Sequence, residues 1–333
     1  MNRKKVFLLS PFHTTFIELD LKIFQDFSTV KPVVTSGFKA IFIILWNVFK
    51  CEVIFCWFGS VYSAVAVFYA KILRKPTIIV LAGVDAEALP EINYGIWLSP
   101  WKSKLLTFAL RNTNKVLVVA PSMKEKIMNF AKYDGNNIEY LPFGFDTSFW
   151  KPGEMKEKMV LSVGGCDSET RFLKKGFDFL IKAAFKLPDT PFVIIGVDEP
   201  LIEKLGVKVP HNVQLIPTIA QHDLLSYYQK SAVYCQSSRS EGLPNTLCEA
   251  MACACIPVGT NVDGIPTAIG DTGFIVEFGD LEKLVDTLKK ALSTDYSYGL
   301  KARQRIIDEF PIQRRIEALK NIIMNIDATN DSL

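Results

Sequence analysis

The sequence predicts an α/β protein made of two doubly wound domains, each with a parallel sheet covered by helices on both faces. Three observations carry this. Short β-branched or aromatic runs alternate with longer amphipathic stretches from one end of the chain to the other, the pattern of strands joined by crossover helices. The strand-like runs are continuously apolar, as strands buried on both faces require. At 333 residues the chain is long for one core and suits two.

In chain order, the basic start Met1 to Lys5 followed by VFLLS resembles the opening of a signal peptide. Pro11 and the polar HTT end the apolar run too early for one, so it reads as a first strand. The eighteen uncharged residues from Val53 to Ala70 just reach the length of a membrane span. Gly59 and Ser60 divide them into VIFCWF and VYSAVAVFYAKIL, which favours strand, turn and helix over a span. TIIVLAG and KVLVVA complete the first series of strands. MVLSVGG opens a second, continued by FVIIG, VQLIP, AVYCQ and CIPVG. Between the series lies LPFGFDTSFWKPGEMKEK, where Pro, Gly and charge cluster as in a linker. The expected division is a domain over 1–150, a second over 151–305, and a C-terminal helical segment over 306–333, interrupted at Pro311 and ending in the frayed tail ATNDSL.

Hydrophobic residues make up 49% and charged residues 22%, which excludes a disordered chain. Residues 1–150 hold 17 Lys and Arg against 11 Asp and Glu, a balance of +6, whereas the remainder is −3. A mildly basic first half with aromatic runs around Phe42, Trp46, Trp57 and Trp101 points to an anionic membrane surface or acceptor. Nucleic acid calls for denser Arg and Lys clusters. Seven scattered cysteines within apolar runs read as reduced core thiols, hence a cytoplasmic protein, at the inner face of the membrane if that contact is made. Cys253 and Cys255 have no His or further Cys near them, so no metal site is expected.

The most informative stretch is SSRSEGLPNTLCEAMACACIPVGTNVDGIP, Ser237 to Pro266. Seven residues separate Glu241 from Glu249, with Gly242, Pro244 and Asn245 turning the chain between them. With Asn245 as N-cap, a helix over Thr246 to Ala254 presents its first backbone N–H groups to that turn. The positive end of a helix favours a diphosphate there. Glu249, one turn in, would meet a neighbouring diol. A capped helix with a first-turn glutamate accounts for part of this pattern without any ligand.

This stretch resembles the donor-binding signature of the retaining glycosyltransferases of family 4, which have the GT-B fold: two Rossmann-like domains facing a central cleft. The resemblance covers the second half of the chain well and the first in outline. It implies that Glu241 contacts the transferred sugar and Glu249 the ribose hydroxyls of the donor. The backbone of Gly242, Leu243, Pro244 and Asn245 would then line the sugar, and the amides of Thr246 and Leu247 the diphosphate. MVLSVGGCDSETRFLKKGFDFLIKAA is similar to the family's first donor-domain strand, with Gly164 and Gly165 in the glycine turn. By that likeness Lys175, before Gly176, and Arg171 clamp the diphosphate as charge grows on it, a catalytic role together with Glu241. The family more often places the arginine directly after the glycine, a position that Gly165 occupies in this chain.

Elsewhere the likeness is looser. YLPFGFDTSFWKPG resembles the end of the family's first domain, with Asp146 in the aspartate position, and VLAGVDAEAL a loop on the acceptor side, where Asp85 stands. SPFHTTF replaces a glycine-rich loop and puts His13 there, and Thr267 replaces a glutamate after the Gly-x-Pro turn. The chain has no Asp-x-Asp pair, so a divalent metal is not called for, and no cofactor is expected. Gly-x-Ser-x-Gly, P-loop and His-Glu-x-x-His motifs are missing as well. The resemblance therefore implies transfer of a sugar from a nucleoside-diphosphate donor to a glycan or lipid-linked acceptor of cell-envelope, capsule or exopolysaccharide type. Two alternatives remain: a sugar-nucleotide epimerase of the same architecture, and a non-catalytic nucleotide- or glycan-binding homologue.

Overall fold

The computed structural model describes residues 3–327; the tail ATNDSL lies outside them. The elements run β1 (Lys5–Ser10), α1 (Thr15–Phe27), β2 (Thr29–Val34), α2 (Ala40–Lys50), β3 (Val53–Trp57), α3 (Val61–Ile72), β4 (Thr77–Leu81), α4 (Pro100–Asn112), β5 (Lys115–Val118), α5 (Pro121–Ala131) and β6 (Ile138–Tyr140). There follow β7 (Glu157–Val163), α6 (Glu169–Lys174), α7 (Phe177–Phe185), β8 (Phe192–Ile195), α8 (Glu199–Leu205), β9 (Val213–Ile216), α9 (Leu224–Lys230), β10 (Ser231–Gln236) and α10 (Asn245–Ala252). The last are β11 (Ile256–Thr260), α11 (Ile265–Ile269), β12 (Phe274–Val276), α12 (Leu281–Ser293), α13 (Ser297–Glu309) and α14 (Ile312–Asn325).

The chain forms two compact units, one of residues 1–143 with 313–333 and one of 144–312. Each holds a six-stranded sheet, β2-β1-β3-β4-β5-β6 in the first and β12-β11-β10-β7-β8-β9 in the second. All strand pairs are parallel. Every residue of β3, β4, β8 and β11 is buried, which explains their largely apolar sequences. Strand β2, TVKPVV, is half exposed and escaped the sequence reading; Pro32 lacks an N–H and is tolerated because β2 is an edge. The Val53 to Ala70 stretch is strand and helix, and among the described residues no helix is long and apolar enough to cross a membrane. All seven cysteines are buried and free.

In the first unit α14 is fastened to α1. Arg315 of α14 is buried and donates twice to Asp20 of α1, at 2.8 and 2.7 Å, and to the carbonyl of Pro142 at 2.9 Å. Its guanidinium lies 5.7 Å from the Trp57 ring and 5.3 Å from that of Phe143, and those two rings stack. Burial pushes the Asp20 carboxyl up, and Arg315 pulls against it. Trp57, expected among surface aromatics, is thus a core residue.

Candidate functional site

In an open parallel sheet, ligand sites form beyond the carboxyl ends of the strands where the order of connection reverses. In the second unit that point lies between β7 and β10. The residues leaving them are Gly164-Gly165 after Val163 and the run Ser237 to Leu243 after Gln236, the segments singled out by sequence.

Glu241 is buried there. One carboxylate oxygen accepts from Lys175 Nζ at 2.6 Å, Ser238 Oγ at 2.8 Å and Gln236 Nε2 at 3.0 Å, and Lys174 Nζ stands 3.9 Å from the other. Its backbone N–H donates to Asp263 Oδ2 at 2.9 Å. Burial alone would raise its pKa, but Lys175, Lys174 and the donated hydrogen bonds outweigh it and hold the group at about 2. With the Asp263 carboxylate at its N–H, the cluster sets two ammonium groups against two carboxylates. Lys174 went unnoticed in the sequence; only its place beside Lys175 at the end of α6 pointed to it.

Three local devices aim these side chains. Gly176 adopts φ +67°, and a Cβ there would lie 1.8 Å from the Ser237 carbonyl oxygen, so only glycine lets the α6–α7 junction press on the exit of β10. A Cβ on Gly164 would lie 3.0 Å from the Lys175 stem, so the glycine gives that stem its room. Arg239 pairs with both Asp178 oxygens at 2.9 and 2.8 Å, and its backbone N–H donates to the Lys174 carbonyl at 2.8 Å, tying the loop to α6 and α7. Gly165 is exposed at the turn.

Helix α10 begins at Asn245, one residue before expectation, with Pro244 in the capping position and no side-chain cap. The proposed Asn245 cap is therefore incorrect: its Oδ1 is buried with no hydrogen-bond partner, as is Ser240 Oγ. Pro244 sets the backbone entering the helix and, having no hydroxyl or amide side chain, leaves the first-turn N–H groups without a capping acceptor. Thr246 Oγ1 donates to the Val163 carbonyl at 3.3 Å; Gly242, Leu243 and Leu247 are buried around the turn.

Glu249 is buried on α10. It accepts from Gln221 Nε2 at 2.6 Å and from the Tyr228 hydroxyl at 3.0 Å, neither of which the sequence indicated. Burial raises it to about 7 against the pull of both donors. A raised carboxyl binds its proton more tightly in the folded chain, so its contribution to stability is most favourable at low pH and declines as pH rises from about 4.5 to about 7. Glu249→Gln is expected to remove this decline and to stabilise the protein at pH 8 by up to about 3 kcal/mol. The difference between the two proteins in thermal melts from pH 4 to 8 isolates this group; a constant difference would refute the assignment.

Four other candidates lie elsewhere. Arg171 is largely exposed and pairs with Asp167 at 3.0 Å; the second cation at Glu241 is Lys174, and Arg171 does not join that cluster. Asp85 is fully buried, and its carboxylate accepts from the N–H groups of Gly59 and Gly83, both at 2.9 Å, and Ala82 at 3.1 Å. Burial raises it to about 6. With no exposed surface it orders its loop and does not face an acceptor. Asp146 belongs to the second unit, where it caps an exposed turn through Ser148 N–H at 2.9 Å; the Ser148 hydroxyl holds its pKa below the ordinary value. His13 is exposed on the loop after β1, at the reversal point of the first sheet.

Residues 145–310 match the family model "Glycosyl transferases group 1". An uncharacterized glycosyltransferase of Haemophilus influenzae is 28% identical over 76% of this chain and 77% of its own. The alpha-maltose-1-phosphate synthase of Mycolicibacterium smegmatis is 26% identical over 72% and 69%. The structure of Anabaena Alr3699/HepE in complex with UDP-glucose superposes with a TM-score of 0.77 over 97% of this chain and 100% of that one, at 12% identity.

Proposed function

Since the chain is a GT-B member of the glycosyl transferases group 1 family, and so a glycosyltransferase using nucleotide sugars, we propose that it transfers a sugar with retention of configuration to a glycan or lipid-linked acceptor. The observation that carries this reading is the pair Lys174 and Lys175 converging on Glu241 beside the uncapped start of α10. A diphosphate lying between these parts would be held by two cations and by backbone N–H groups. As the bond from the anomeric carbon to phosphate breaks, the charge passing to the leaving nucleoside diphosphate falls on them. A donor phosphate oxygen takes the proton from the acceptor hydroxyl on the same face, and that hydroxyl oxygen bonds to the anomeric carbon. Glu241, ionised, positions the transferred sugar, and Glu249 accepts the ribose hydroxyls in place of its present donors. The two unpartnered atoms, Ser240 Oγ and Asn245 Oδ1, offer further hydrogen bonds at the same turn. In this reading the first unit receives the acceptor.

The test is a thermal-shift panel of UDP-, GDP-, ADP- and TDP-sugars, followed by analysis of products from the stabilising donor with and without candidate acceptors. Stabilisation by one donor class and a glycoside of unchanged anomeric configuration are the expected results. Sugar altered without an acceptor would identify an epimerase, and binding without turnover across the panel a non-catalytic homologue.

A further inference from the structure

Helices α2 to α4 of the first unit expose several large apolar side chains. Helix α2, AIFIILWNVFK, buries only Ala40, Ile44 and Val48. Phe42, Trp46 and Phe49, spaced so as to share one face, are 64%, 61% and 67% exposed, and Phe38 just before the helix is 76% exposed. Its one interior polar residue, Asn47, turns its amide onto the Ile43 carbonyl at 2.7 Å. Helix α3 packs beside α2, and α4 beside α3. They extend the apolar surface with Phe68 and Ile72 on α3 and Trp101 on α4, each at least 50% exposed.

Charge on these helices has one sign. From Lys31 to Val84 the chain holds a single carboxylate, Glu52, and from Ile92 to Lys124 none. The cations include Lys39 and Lys50 at the two ends of α2, Lys71, Arg74 and Lys75 at the end of α3, and Lys102, Lys104 and Arg111 on α4. Lys50 Nζ lies 4.0 Å over the Trp46 ring. Exposed aromatic side chains fringed by cations without carboxylates are what an interfacial helix needs: the rings enter the boundary between headgroups and acyl chains and the ammonium groups meet lipid phosphates. An eleven-residue helix is far too short to span.

We propose that the outer face of α2, continued by α3 and α4, docks this protein on a bilayer containing anionic phospholipid, with α2 lying in the plane of the membrane. Charge decides against a second copy as the occupant, since two such faces would oppose cations with no carboxylates to receive them, whereas a lipid surface satisfies both rings and cations. The proposal uses only the first unit and stands apart from the donor assignment.

Co-sedimentation of the full chain with sucrose-loaded vesicles tests it. Phosphatidylcholine vesicles carrying phosphatidylglycerol are expected to pellet the protein, less so as salt rises, and pure phosphatidylcholine much less. Lys39→Glu with Lys50→Glu is expected to weaken the association by at least about tenfold, and Phe42→Ser with Trp46→Ser and Phe49→Ser by as much or more. These residues are exposed, so both variants should retain the wild-type melting temperature and its thermal shift with nucleotide sugar. Wild-type protein left in the supernatant, or variants that pellet as well as wild type, would overturn the proposal. So would a wild-type dimer, seen by analytical ultracentrifugation, that the serine substitutions split while vesicle binding persists.

Discussion

Lys175→Ala is expected to lower turnover of the preferred donor by roughly 10²–10³, the usual cost of removing one preorganised charge from a leaving group. The Lys175 ammonium is the group closest to Glu241, at 2.6 Å, and its stem is seated against Gly164, so few other side chains can take its place. Lys174 approaches from 3.9 Å and would preserve part of the field. Lys174→Ala should therefore cost less, and the double variant more than either. Affinity for the free nucleoside diphosphate should fall with turnover, since the cations bind the product as well. The check is kcat/KM with product inhibition measured in parallel. If Lys175→Ala kept wild-type turnover while Arg171→Ala lost it, the arrangement around Glu241 would be a structural ion pair and the leaving group would be held elsewhere.

The second large effect concerns stability. Arg315→Met removes the partner of a fully buried carboxylate, and breaking such a pair costs about 3–5 kcal/mol. For a unit of this size that lowers the melting temperature by roughly 10 °C. Asp20, already pushed up by burial, would rise further without its guanidinium. The folded variant then binds the proton more tightly than the unfolded chain, so its deficit should shrink as pH falls and widen as it rises. Replacing both partners, Asp20→Leu with Arg315→Met, leaves no orphaned charge and should recover most of the loss. Equal loss in the single and double variants would mean that the packing of Arg315 between Trp57 and Phe143, and not its charge, holds α14 in place.

What the sequence disclosed and what it hid follow from range. The central strands were legible because double burial makes their sequences largely apolar, and the turn from Ser237 to Pro244 because Gly, Pro and Asn allow few alternatives. Strand β2 was not, since Lys31 and Pro32 belong only to an edge; β6 and β12, three residues each, are too short to show a period. Partners distant in sequence were invisible: Gln221 and Tyr228 gather at Glu249 from a separate loop and helix. Asp20 lies on the apolar face of α1 with Ile17, Ile23 and Phe24, a local sign of a buried acid, but nothing near it names Arg315 as its partner. The Asn245 cap failed because Pro244 already fixes the entering backbone; for Asp85 the sequence left a turn aspartate and an acceptor contact equally open, because a loop aspartate looks the same in either role.

The bond between Asp20 and Arg315 also bears on how the molecule is made. Synthesis delivers Asp20 near the start, yet its guanidinium arrives 295 residues later, after all of the second unit. The later-made body can thus close on itself while the earlier one still waits, its Trp57 and Phe143 lacking the cation that sits beside them. Until α14 leaves the ribosome, the nascent first unit carries an unpaired acid and open apolar surface. A chain cut short before α14 would therefore keep a sound C-terminal body and an incomplete N-terminal one, the state that quality-control proteases seek out.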